Sequence, residues 1–167
     1  MFYLVYLAIF GVSFYGIVYT VASFEGDTFS GVSLSGGVKK FISGYMIFSA
    51  LMFSMIWISS IIPLMQTGTK PEFAWSIYII DLCFTLPLLV IVAVMALRNS
   101  KFGIAMMLPL NIVGFSILAP LVLGEILKPT LYGLEMIVEE TLMYAGISSI
   151  FLISVILLLR NLKINSN

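Results

Sequence analysis

The sequence predicts an all-α fold, a polytopic transmembrane bundle of five spanning helices. Three observations predict it. Of 167 residues, 61% are hydrophobic and 10% are charged, against about 25% charged in a soluble domain. The mean hydropathy is +1.15, and so few charges cannot cover a surface that faces water. The apolar residues also fall into five runs, each near the roughly 20 residues a helix needs to cross hydrocarbon. Finally, the runs are separated by segments rich in Gly, Ser, Pro and charge, the signature of connections. The chain reads as a single transmembrane domain over residues 1–167.

The first run covers about residues 2–23. VAS at 21–23 loosely resembles a cleavage site. However, no Lys or Arg precedes the run, and it exceeds an h-region of about 7–15 residues, so a retained span is expected. The second run, about 41–65, follows the long connection FEGDTFSGVSLSGGVKK. The third, about 73–97, follows the tight turn QTGTKPE, and the fourth, about 102–123, follows the tighter turn RNSK. The fifth, about 137–159, follows GEILKPTLYGLEM, read as a medium connection with room for a short interfacial helix.

Five spans put the termini on opposite sides. The first connection, RNSK and the C-terminal tail then share a side that holds Lys39, Lys40, Arg98, Lys101, Arg160 and Lys163, while the other side holds only Lys70 and Lys128. Positive charge marks the cytoplasmic face. The expected location is the cell membrane, with an external N-terminus and a cytoplasmic C-terminus. Trp75 suits an interfacial anchor at the outer start of the third span.

Several chemistries are excluded or disfavoured. Eight basic and eight acidic residues give no net charge, hence no field for nucleic acid. The absence of histidine removes Ser–His and Cys–His catalysis, histidine-ligated haem and the usual zinc sites. The lone cysteine, Cys83, forms no intrachain disulfide. GVSLSGGVK at 31–39 lacks the spacing, the Ser or Thr and the preceding strand of a P-loop. Met46, Met52, Met55 and Met65 have no His or Cys beside them and read as apolar filler. Glu135, Glu139 and Glu140 are read as compensation of a helix dipole rather than a divalent-ion site. No cofactor or metal is expected. Without a second deep acid or a buried lysine, neither is an intramembrane enzyme.

The informative residue is Asp81, in SIYIIDLCFTLPLLV. It lies eight residues into the third span, about 12 Å along the axis at 1.5 Å per residue. A carboxylate at such depth costs about 3 kcal/mol and should face the bundle. Tyr78 at i−3 and Thr85 at i+4 share its helix face. Pro87 has no N–H and frees the carbonyl of Cys83. On the fourth span Asn111 sits near mid-depth, and Ser116, whose carbonyl Pro120 frees, lies at a depth close to that of Asp81. On the fifth, Glu140 and Tyr144 are i,i+4 neighbours. These seven residues form one candidate polar site between spans three, four and five. No Lys or Arg within a span pairs with Asp81, so the acid is expected to be neutral or to hold a small cation.

Small residues (Ser13 with Gly16; Ser49, Ala50 and Ser54; Ala145, Gly146, Ser148 and Ser149) are read as packing faces, inside the chain or between protomers. The expected partners are the lipid bilayer and either a second copy of the chain or another membrane subunit.

Lys39, Lys40, Trp57, Pro63, Gly68, Thr69, Pro71, Asp81, Leu82, Pro87 and the basic turn ending in Gly103 also resemble an uncharacterised family of prokaryotic multi-pass integral membrane proteins. The resemblance covers roughly residues 4–125. Members of that family carry further spans at the N-terminus, so the resemblance implies the C-terminal part of a longer fold. It implies no activity. The residues leave two readings: a structural or interaction role within the membrane, or a small transporter, channel or proton- or cation-handling protein working through Asp81. An internal repeat would favour transport, and none is evident.

Overall fold

A computed structural model describes Phe29, residues 31–67 and residues 80–164. The first apolar run, most of the turn at 66–72, Trp75 and Tyr78 lie outside the described residues. In order, the elements are a short strand β1 (Val32–Ser33), helix α1 (Gly36–Thr67), a π-helical turn (Asp81–Thr85) continuing into α2 (Leu86–Leu97), α3 (Lys101–Tyr132), α4 (Val138–Asn161) and strand β2 (Lys163–Ile164). The fold is all-α apart from the two-residue ladder. Among the described residues, three helices are long and apolar enough to cross a membrane, and Asp81–Leu97 is a shorter apolar one.

Side-chain burial follows from that composition. Phe48, Met55, Leu123, Leu142 and Ile153 are all exposed. In water such a surface would aggregate; in hydrocarbon it is the ordinary outer face of a helix whose backbone bonds are satisfied internally. The core is correspondingly thin. Ile42, Met46, Ala50, Leu89, Ala93, Ala96, Ile104 and Met107 join α1, α2 and α3. Tyr45, Leu118, Ile147 and Phe151 join α1, α3 and α4. Of the methionines, Met46 is buried, whereas Met55 and Met65 are exposed.

The turn between α2 and α3 is built from three polar residues. Asn99 takes the left-handed conformation, φ 62°, which Asn tolerates. Its N–H bonds to Ala96 O at 2.9 Å and that of Ser100 to Met95 O at 2.9 Å, the paired bonds of a Schellman ending. The Ser100 hydroxyl then accepts from Gly103 N at 3.3 Å, capping α3. At Gly103 the hairpin is so tight that an added Cβ would lie 2.6 Å from Met95 Cβ and 2.7 Å from Ala96 N.

One expectation is corrected. The expected connection 124–136 shrinks to the residues after Tyr132, because α3 runs unbroken past 123 to Tyr132 as one 32-residue helix containing Pro109, Pro120 and Pro129. Each proline removes one donor, which did not end this helix. Ile126, Leu127 and Leu131 prolong its apolar face, and Lys128 pairs with Glu125 at 3.0 Å. The helix stops at Gly133, φ 65°, where the left-handed conformation favours glycine. Glu125 also accepts from Ile137 N at 3.4 Å, bracing the bend into α4.

At the opposite end, β1 pairs antiparallel with β2, Val32 against Ile164 and Ser33 against Lys163. Lys101 Nζ donates to Val32 O at 3.0 Å, Lys39 Nζ donates to Asn99 Oδ1, and Phe29 meets Phe102 edge-on at 5.7 Å. The segment before α1, the α2–α3 turn and the C-terminal tail therefore close on one another at one end of the bundle.

Candidate functional site

The site begins with a break in helical hydrogen bonding. An α-helix would pair Leu86 N–H with the carbonyl four residues back; here it reaches Asp81 O, five back. Thr85 Oγ1 likewise donates to Ile80 O at 3.4 Å. The cause is next door. Pro87 brings no N–H, and its ring would crowd the carbonyl of Cys83 in an unbroken helix. One π-turn absorbs the clash. Asp81 opens that turn, half-buried.

The partner of Asp81 is the indole of Trp57. Nε1 donates to Asp81 Oδ2 at 3.1 Å, from α1 to the π-turn. The carboxyl thus ties the π-turn that opens α2 to α1, and neither Asn111 nor Ser116 bonds to it. In the sequence, residues 57 and 81 lie equally far from Thr69, the middle of the turn expected at 66–72; two helices running antiparallel from such a turn would bring them to one depth. Among the described residues, Oδ1 of Asp81 accepts no hydrogen bond.

Beside this pair lies a partly enclosed cleft of about 430 Å³, walled by α1, α3 and α4 and by the π-turn with α2. Its lining includes the polar groups of Asp81, Trp57, Thr85 and Tyr144; Phe53, Leu86, Leu89, Leu118, Met143 and Phe151 make most of the rest. Of the expected site residues, then, Asp81, Thr85 and Tyr144 share one cleft. Tyr78 lies outside the described residues. Ser116 and Glu140 are exposed and do not line the cleft, because helical phase turns both to the outer side of α3 and α4. Glu139 and Glu140 occupy the first turn of α4. Among the described residues no group of three acids or thiols is placed to hold a metal ion.

Asn111 departs most from expectation. It is fully buried but does not line the cleft that Asp81 lines. Its Nδ2 donates to Met107 O, one turn back on its own helix, at 2.7 Å, and reaches Met46 Sδ at 3.5 Å. Its Oδ1 and the buried hydroxyls of Ser43 and Ser154 have no partner among the described residues. The antiparallel contact of Gly114 with Phe151 sets Asn111 and Ser154 one turn further on, each toward the basic end. Asn111 therefore makes no strong tie between helices. Asn111→Leu, near-isosteric and free of the orphaned oxygen, is expected to leave the melting temperature in detergent unchanged or to raise stability by up to about 1 kcal/mol. A clear loss would reveal a bond between helices that this geometry lacks.

Two residues of this region carry roles that the spacing arguments leave open, Trp57 as the partner of Asp81 and Gly114 against Phe151. Equal distance from the turn is a readable signal for the first. The second depends on the crossing of α3 and α4, which no local pattern encodes. The small-residue faces are divided: Ser49, Ala50 and Ser148 are buried, whereas a Cβ at Gly146 would meet nothing within 4 Å. Comparison with family models, with curated proteins and with solved structures finds no match.

Proposed function

We propose that this chain is a multi-pass protein of the cell membrane with five spans, an external N-terminus and a cytoplasmic C-terminus, serving a structural or interaction role and no enzymatic one. Three long apolar helices support a membrane location. The sequence offers apolar runs at about 2–23 and 73–97 for the other two spans, and Asp81–Leu97 of the latter is an apolar helix. The basic residues Lys39, Arg98, Lys101 and Lys163 fall on the segments that close one end of the bundle, which supports placing that end in the cytoplasm.

The observation that carries the structural role is the Trp57–Asp81 bond at 3.1 Å. It gives an otherwise costly acid a partner on another helix. Such bonds between helices are worth about 0.6 kcal/mol on average in a membrane, with a maximum of about 1.7. Asp81→Leu removes the acceptor at similar volume and is expected to lower the melting temperature in detergent by about 2–4 °C at every pH. In a Trp57→Phe background the same substitution should cost nothing further. An Asp81→Leu protein as stable as wild type would sink the tie.

The cleft favours a second reading, in which Asp81 serves a solute, proton or cation. Its volume of about 430 Å³ lies within the range of small-molecule sites.

A further inference from the structure

We infer that the cleft at Asp81 binds an organic cation with a bulky apolar body; this rests on the second reading above and names the ligand class for it. Four observations converge. Asp81 is the one charged side chain, among the described residues, that lines the cleft. Its Oδ2 is held by Trp57, which fixes the carboxylate and leaves Oδ1 for a ligand. Trp57 and Tyr144 add two aromatic rings to the lining of the same cleft, and aromatic rings attract cations. The remaining walls are almost wholly apolar. A hydrated metal ion would find one carboxylate and few other oxygens there, far from the six to eight ligands calcium takes. An anion would meet a like charge. A neutral apolar molecule would leave the acid uncompensated in hydrocarbon. A cation whose charge is carried on an apolar frame satisfies both the acid and the walls.

The test uses two probes of one shape and opposite charge, tetraphenylphosphonium and tetraphenylborate. The protein has two tryptophans, Trp57 and Trp75. In a Trp75→Phe background, emission therefore reports on the residue at the cleft. The full chain in lipid nanodiscs is titrated with each probe, and bound probe is also counted by equilibrium dialysis against empty nanodiscs. The expected result is saturable binding of the phosphonium with quenching of Trp57, weakened at least tenfold by Asp81→Asn and retained by Asp81→Glu, with no saturable binding of the borate. Equal binding of both ions, or phosphonium binding unchanged in Asp81→Asn, overturns the inference. So does the absence of saturable binding in a wild-type protein that melts cooperatively. Flux of the phosphonium beyond that of protein-free liposomes separates the two claims: binding without such added flux keeps the site and ends transport as the second reading.

Discussion

Gly103→Ala is expected to destabilise the protein by about 1–3 kcal/mol, a fall of several degrees in melting temperature in detergent. The added methyl would stand 2.6 Å from Met95 Cβ, 2.7 Å from Ala96 N and 2.8 Å from Met95 C. Two of those three atoms are backbone, and the third is fixed to it. No rotamer change makes room, so the start of α3 must move away from the end of α2. That movement strains the Schellman ending at Asn99 and the Ser100 cap. It also disturbs the end of the bundle where Lys39 meets Asn99 and Lys101 meets Val32. Gly124→Ala supplies the control. It lies within the same helix, and a Cβ there meets nothing within 4 Å. Alanine should be neutral or slightly stabilising at such a helix position. Equal melting of the two variants would refute the close approach at Gly103.

Legibility from sequence tracks the length scale of the signal. Runs of some 20 apolar residues mark spans because the bilayer sets the length, and α1, α3 and α4 coincide with three such runs. The ends are harder to read. Gly124, Pro129 and Gly133 all punctuate 124–136, yet only Gly133, with its left-handed backbone, stops α3. A proline in a long apolar helix loses one hydrogen bond and bends it; a glycine that adopts positive φ ends it. The polar stripe of Asp81 and Thr85 is legible as helical spacing, but Pro87 answers its own clash by a π-turn, and a π-turn shifts the helical phase of the residues beyond it. Trp57 can be found by counting back from the turn. Asn111 cannot be placed that way, since its partner on the same helix, Met107 O, is a carbonyl that any buried amide can reach. The β1–β2 ladder, two residues on each strand, is too short to leave a period in the sequence.

The loss with the widest reach is expected from Phe151→Ala. Phe151 is 2% exposed. Its ring stands edge-on to Tyr45 at 5.0 Å and fills the space that Gly114 leaves open, so one side chain holds α4 to both α1 and α3. Hydrocarbon gives helices no hydrophobic reason to associate, and packing carries the contact instead. The ring leaves a void of about 100 Å³, which at about 24 cal/mol per Å³ costs roughly 2–3 kcal/mol. The edge-on contact with Tyr45 adds about 1 kcal/mol. Tyr45 also loses the wall that steers its hydroxyl onto Ile147 O, a bond of 2.7 Å. Gly114 makes the assignment testable without relying on one large effect. A methyl at Gly114 would lie 2.7 Å from Phe151 Cε1 and 2.9 Å from Cδ1 and Cζ. Gly114→Ala alone should therefore destabilise by about 1 kcal/mol or more. In the Phe151→Ala background the same methyl meets no ring and enters the void, so it should cost nothing or restore part of the loss. Melting of the two single variants and the double variant measures this coupling, and losses that simply add would show that the residues do not touch. Both residues also line the cleft beside Asp81. The coupling therefore measures how firmly the part of the cleft wall made by α3 and α4 is held, which any ligand of the cleft depends on.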